Sequence, residues 1–160
     1  MNVQSISPSA SSADMPVRLL TRVCTEYFLE SATTLSDLFA GDIIKGLVWL
    51  TIIRANVEGL EHDSEAARSY ATADAAPPDS LRTPTTVYSV AKSLGLTYET
   101  GRRHVNWLIE KGFCVRNESG LVVTEAILRS PAVLRGYSRN LANYRKFMEA
   151  IDRAGLKDFS

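Results

Sequence analysis

Between Thr83 and Thr124 the chain passes from one helical hydrophobic period to a second and then to short strand-like runs, with a glycine at each change. That order of elements constrains the fold more than any other feature. Thr86 to Leu94 places Val87, Val90, Ala91 and Leu94 at i, i+3, i+4 and i+7, the stripe of one buried helix face. Gly95 follows at the helix end, where a residue tolerant of positive φ is favoured. Leu96 can fill the angle between two helices, and Thr97 can cap the next one, although Thr100 lacks the carboxylate that a full capping box needs.

Tyr98 to Lys111 is two-faced. At about 100° per residue, Gly101, Val105, Leu108 and Gly112 share one side, flanked by His104 and Ile109. Glu99, Arg102, Arg103, Asn106 and Glu110 fall on the other side. Gly112 ends the helix, Phe113-Cys114-Val115 reads as a strand, and Asn117-Glu118-Ser119-Gly120 as a turn. Leu121-Val122-Val123 reads as the returning strand.

Helix, turn, helix and hairpin in this order resemble the winged helix-turn-helix domain of bacterial transcription regulators. The likeness to the MarR and IclR-like groups is closest at LTYETGRRHVNWLIEKGFCV, which is similar to their recognition helix. Gly101 departs from the resemblance, standing where those groups usually carry an apolar side chain. A glycine inside a helix costs about 1 kcal/mol relative to alanine, so it either permits a close helix approach or loosens the helix.

The flanks of this stretch are helical in pattern. Ser-rich Met1 to Ala13 has little to bury and is expected to be a disordered tail. Asp14 caps a helix with Pro16 in its first turn and an apolar stripe of Val17, Leu20, Val23, Cys24, Tyr27 and Phe28, ending near Ser31. A second helix is expected from Ser36 to Val57, so apolar that it should be buried on most sides, with Trp49 filling a pocket or an interface. Gly41 and Gly46 are its candidate contact points for another helix. Gly59 to Arg82 reads as a linker, with a short Ala-rich helix inside Ser64 to Asp74. After the hairpin, Thr124 caps a short helix, and Pro131 opens a long one toward Ala154. Leu134, Tyr137, Leu141, Tyr144, Met148 and Ile151 recur there at steps of 3 and 4, a heptad seam widened by Val133 and Phe147. The seam packs either on the chain's own N-terminal helices or on a second copy. The MarR resemblance implies the second, with both ends of the chain building a homodimer.

The expected fold is therefore mainly α with a small β-hairpin wing: a winged helix-turn-helix domain at 83–124, N-terminal core and dimerisation helices at 14–58, a linker at 59–82, and a C-terminal helical dimerisation segment at 125–160.

Charge points the same way. The whole chain is neutral, but residues 1–80 hold 5 Lys and Arg against 11 Asp and Glu, and residues 81–160 hold 13 against 7. Local positive potential, not net charge, is what phosphate needs; such halves could equally attract each other. With double-stranded DNA as partner, the two-faced helix would lie in a major groove. Arg102 or Arg103 would donate to guanine O6 and N7, Asn106 would read adenine, and Glu99 would accept from cytosine N4. Thr97, Tyr98, Thr100 and Lys92 would stand near phosphate, as would Arg82. Arg103 is the position expected to face out, whereas Arg102 could instead pair with Glu99 or Glu110, and Arg116 would touch the minor groove or backbone or pair with Glu118. A dimer would set two such helices about one DNA turn apart on a palindromic site.

A protein-interaction winged helix that does not bind DNA is the alternative. It is kept open by Glu99, Glu110 and an exposed Trp107, aromatics being common at protein hot spots. A small-molecule effector could sit among Trp49, Tyr27, Phe28 and Phe39, unless those rings simply fill core. No catalytic residue is expected: there is no Gly-rich phosphate loop, HExxH or GxSxG, and of two histidines His62 lies in the acidic run and His104 flanks the recognition helix. Glu58, Glu61, His62, Asp63 and Glu65 lack a metal-ligand spacing and read as a solvated acidic loop, so no metal or cofactor is expected. Cys24 and Cys114, with no CxxC, read as small buried hydrophobes in a reduced cytoplasmic setting. With no h-region after the start and no apolar run beyond Gly46 to Ile53, no membrane segment is expected.

Overall fold

A computed structural model of the chain describes residues 16–61, 64–72 and 75–155. The expected tail at 1–13, the Asp14 cap, His62 and Asp63 lie outside those residues. The described chain is mainly helical with one two-stranded antiparallel sheet: α1 (Val17–Leu38), α2 (Ile43–Glu61), α3 (Ser64–Ser69), a 3-10 turn (Asp79–Leu81), α4 (Val87–Ser93), α5 (Tyr98–Glu110), β1 (Val115–Asn117), β2 (Gly120–Val122), α6 (Glu125–Leu128) and α7 (Pro131–Arg153). By its contacts the chain divides into two compact units, Ala32–Asn140 and the segments before and after it.

The boundary between the first two helices differs from the sequence reading. α1 does not end near Ser31 but continues to Leu38, and α2 begins at Ile43, not Ser36. Ala40 (φ 56°) and Gly41 (φ 84°) are both left-handed and stop α1. Asp42 then starts α2, its Oδ1 accepting from the backbone N–H groups of Ile44 (3.0 Å) and Lys45 (3.2 Å). Gly41 thus serves a turn and no helix contact. Gly46 does serve one, because a Cβ there would lie 2.5 Å from Leu35 Cγ.

Within residues 32–140 one core gathers Phe39, Val48, Trp49, Ile52, Val87, Val90, Val105, Leu108, Cys114, Leu121, Val123, Leu128 and Val133. Phe39 lies 5.4 Å from Trp49 and 4.8 Å from Phe113 between ring centroids, and Trp49 Nε1 donates to the Phe113 carbonyl at 2.8 Å. α2 is less enclosed than its composition suggests, since Leu47 and Leu50 stay exposed. Fully buried Asn56 joins α2 to the rest. Its Nδ2 donates to the carbonyls of Thr83 (2.8 Å) and Leu121 (3.1 Å), and its Oδ1 accepts from Val123 N–H (2.9 Å). All three contacts are to backbone, so this one side chain fixes where the chain enters α4 and where it leaves the hairpin.

The hairpin is displaced from its sequence reading by up to two residues. Phe113 N–H donates to Leu108 O at 2.8 Å, closing the end of α5 beyond Gly112 (φ 74°), so Phe113 and Cys114 precede the strand. The register pairs Val115 with Val122, Arg116 with Leu121 and Asn117 with Gly120. Thr85 adds an isolated bridge to Leu121, and Asn117 Oδ1 closes the turn by accepting from Ser119 (3.0 Å) and Gly120 (2.9 Å) N–H.

Cys114 is buried, which pushes its thiol up to about 11, but Cys24 is exposed on α1, contrary to the reading of both as buried. Among the described residues no helix is long and apolar enough to cross a membrane, and no group of three or more His, Cys, Asp or Glu could hold a metal.

Candidate nucleic-acid interface

α4 and α5 are both set by hydroxyl caps. Thr86 Oγ1 accepts from Ser89 N–H at 3.1 Å and Thr97 Oγ1 from Thr100 N–H at 3.2 Å. Between the helices Gly95 is left-handed (φ 64°). Gly101 lets them approach closely, since a Cβ there would meet Ala91 Cβ at 2.8 Å. Of the two readings of this glycine, the close approach is the one found.

α5 buries Gly101, His104, Val105 and Leu108. Burial pushes the His104 imidazole below its ordinary value, the charges of Arg103 and Lys45 adding to this and Asp42 opposing it. Asp42 is itself raised by burial, but hydrogen bonds and charge from Lys45, with the charge of His104, bring its carboxyl below the ordinary value.

The opposite face of α5 presents Glu99, Arg102, Arg103, Asn106, Trp107 and Glu110 along one shallow surface. Arg102 and Glu99 form a two-pronged ion pair, through Arg102 Nε to Glu99 Oε2 (3.0 Å) and Nη2 to Oε1. The hydrogen bond from Arg102 holds the Glu99 carboxyl below its usual range. Arg103 is exposed and makes no ion pair among the described residues, so its guanidinium is the uncommitted one. Asn106 and Thr100 are half-buried, while Thr97 and Tyr98 are exposed.

Arg116 is exposed on β1 and makes no ion pair among the described residues, so the pairing with Glu118 does not occur. A second groove, of about 390 Å³, brings Arg116 together with Tyr98 and with Tyr88 of α4. Tyr88 had no role in the sequence reading. Its signal was an aromatic outside the Val87, Val90, Ala91 stripe. Lys92 is exposed on α4 but lines neither surface. Arg82 cannot meet phosphate. Its side chain is buried, Nε donating to Asp79 Oδ1 (3.1 Å) and Nη2 to Pro77 O (2.7 Å).

Trp107 is not the exposed aromatic expected. It is half-buried, stacked on Phe113 at 6.2 Å between centroids, and lies under Lys45 Nζ at 4.4 Å. Three of the four aromatics expected around an effector are already packed. Phe39 and Trp49 are core, Tyr27 packs 5.0 Å from Phe147, and Phe28 is exposed.

In the unit that flanks residues 32–140, α1 meets α7 through Tyr27 and Phe147 and through Lys146 Nζ paired with Glu30 at 3.2 Å. Val23, Asn143 and Ala150 line the same small cleft. This is a different face of α7 from the heptad seam. Leu141 (50 % exposed), Tyr144 (48 %) and Met148 (39 %) are left open, as is Tyr137 (40 %), with Leu134 and Ile151 half-buried. No family model, curated protein or solved structure matches the chain.

Proposed function

We propose that the chain is a sequence-specific, DNA-binding transcription regulator of the winged helix-turn-helix kind, similar to the MarR and IclR-like groups, acting as a homodimer. The observation that carries this reading is the division of α5: one face is locked into the core by Gly101, Val105 and Leu108, and the other offers an uncommitted Arg103 beside Asn106. In this reading Arg103 donates two hydrogen bonds to guanine O6 and N7, and Asn106 reads adenine. Thr97, Tyr98, Thr100 and Lys92 approach phosphates, and Arg116 on the hairpin, the wing, meets the neighbouring groove or backbone. Glu99 accepts from cytosine N4, or stays with Arg102 and keeps that guanidinium on the helix surface. The α7 seam joins two copies, which read a palindromic site. Of the support for the protein-interaction alternative, Trp107 is half-buried, stacked on Phe113 and under Lys45, so Glu99 and Glu110 carry that alternative.

The test is retention of fragmented genomic DNA from the source organism by the purified protein, at low and moderate salt. Wild type is expected to hold a few discrete fragments, and the Arg102→Ala/Arg103→Ala double variant to release them. On the recovered site, Arg103→Ala alone should cost about 1–3 kcal/mol. Retention of nothing at either salt would overturn the reading.

A further inference from the structure

Tyr88 and Tyr98 are 63 % and 55 % exposed, and they stand on different helices, α4 and α5, around one groove. Neither ring belongs to the core that holds those helices together, which uses Val87, Val90, Val105 and Leu108. Thr85, Gly120 and Leu121 line the same groove. Thr85 and Leu121 exchange hydrogen bonds of 3.1 and 2.7 Å, and beside them Gly120 (φ 140°) has no room for a side chain, since a Cβ would fall 2.4 Å from Thr85 O. On one rim stands Arg116, exposed and without an ion pair among the described residues; Glu118 stands on the turn. The groove's volume of about 390 Å³ falls within the roughly 300–1,000 Å³ of small-ligand sites, yet it is open along its length, as suits a strand more than an enclosed molecule.

We infer that this groove binds single-stranded nucleic acid, with unpaired bases stacked on Tyr88 and Tyr98 and the adjoining phosphate held by Arg116. Exposed aromatic rings beside a cation are the elements of sequence-tolerant stacking platforms, because every base offers a π-face. The carboxylate of Glu118 repels phosphate and so sets the backbone on the Arg116 side. The inference does not rest on duplex reading by Arg103: it requires no base pair and no second copy. A strand opened or overhanging beside a duplex site would supply the same ligand.

Fluorescence anisotropy of a labelled oligothymidylate of about twelve nucleotides tests it, against a blunt duplex of the same length and thymidine monophosphate as competitor. The oligonucleotide should bind with the shallow salt dependence of about one phosphate contact, and Tyr88→Ala should weaken it about 5- to 150-fold, the equivalent of one lost base stack. Tyr88→Phe keeps the ring and should stay within about twofold of wild type, and Arg116→Ala should flatten the salt dependence. Tyr98→Ala provides a second, independent loss, and circular dichroism checks that both exposed sites tolerate alanine. Arg103→Ala should leave oligothymidylate binding intact, which separates this groove from the duplex reading. The inference is overturned if wild type fails to bind the oligonucleotide or if both Tyr→Ala variants bind it normally. It is equally overturned if the mononucleotide competes as well as the strand, or if Tyr88→Ala weakens the blunt duplex by the same factor.

Discussion

Gly101 sits in the middle of α5, where glycine is the worst residue short of proline for a helix. It is kept there by Ala91, because a Cβ at position 101 would come within 2.8 Å of the Ala91 Cβ, an atom that cannot swing aside. Gly101→Ala should therefore destabilise the fold by up to about 2 kcal/mol, overpacking of about 1–3 kcal/mol set against a gain of about 1 kcal/mol in helix propensity. Adding Ala91→Gly should recover part of the loss in thermal unfolding. A simple stabilisation by Gly101→Ala would mean the two helices are not in this contact. Asn56 is the other residue on which the unit depends. Asn56→Ala leaves the buried Val123 N–H and the part-buried Thr83 carbonyl without this partner, while the Leu121 carbonyl keeps the Thr85 N–H. At about 1–3 kcal/mol for each unsatisfied buried group, the expected loss is about 2 kcal/mol or more, readable as a lower urea midpoint. A loss under about 1 kcal/mol would show that water replaces the amide.

At the scale of the element, α7 carries two apolar faces, and among the described residues one is packed while most of the other is open. Phe147 with Ala150 meets α1, while Leu141, Tyr144 and Met148 are exposed beside it. An exposed seam with heptad spacing is what a helix pairing between copies requires. Leu141→Asp should convert a dimer to a monomer by light scattering and abolish tight binding to a palindromic DNA site while leaving helix content unchanged. A variant that still scatters as a dimer would place the contact elsewhere.

For the whole molecule, pH provides a global readout of how α5 is seated. His104 is buried with its imidazole held below the ordinary value of 6.5, so the unfolded chain binds the proton more readily than the folded one. Its contribution to stability is fully present above that value and is lost as pH falls toward the folded value. Asp42, lowered from 3.8, adds a loss at more acid pH. Melting temperature should therefore drop between about pH 7 and pH 5, and His104→Gln should flatten that slope. An identical slope in the variant would assign it to other groups.

The sequence by itself determined what depends on neighbours along the chain. Thr86 and Thr97 as caps, Gly95 and Gly112 as helix stops, the Asn117 turn and the two faces of α5 are each set by local backbone chemistry and a period of 3.6 residues. The helix break at Ala40-Gly41-Asp42 was also written locally, as a left-handed pair and a cap, but the continuous apolar pattern from Leu38 to Ile53 masked it. Only the tertiary structure decided the rest, because those choices turn on burial, side-chain rotamers and packing that hydrophobic periodicity does not encode. Phe113 left the strand to close α5 and stack on Trp107, Arg82 left the surface for Asp79 and Pro77, and Tyr88 and Arg116 came to share one groove. The helical pattern already offered Arg102 a pairing with Glu99 or Glu110 and left Arg103 facing out; the rotamers of Arg102 and Glu99 decide for Glu99.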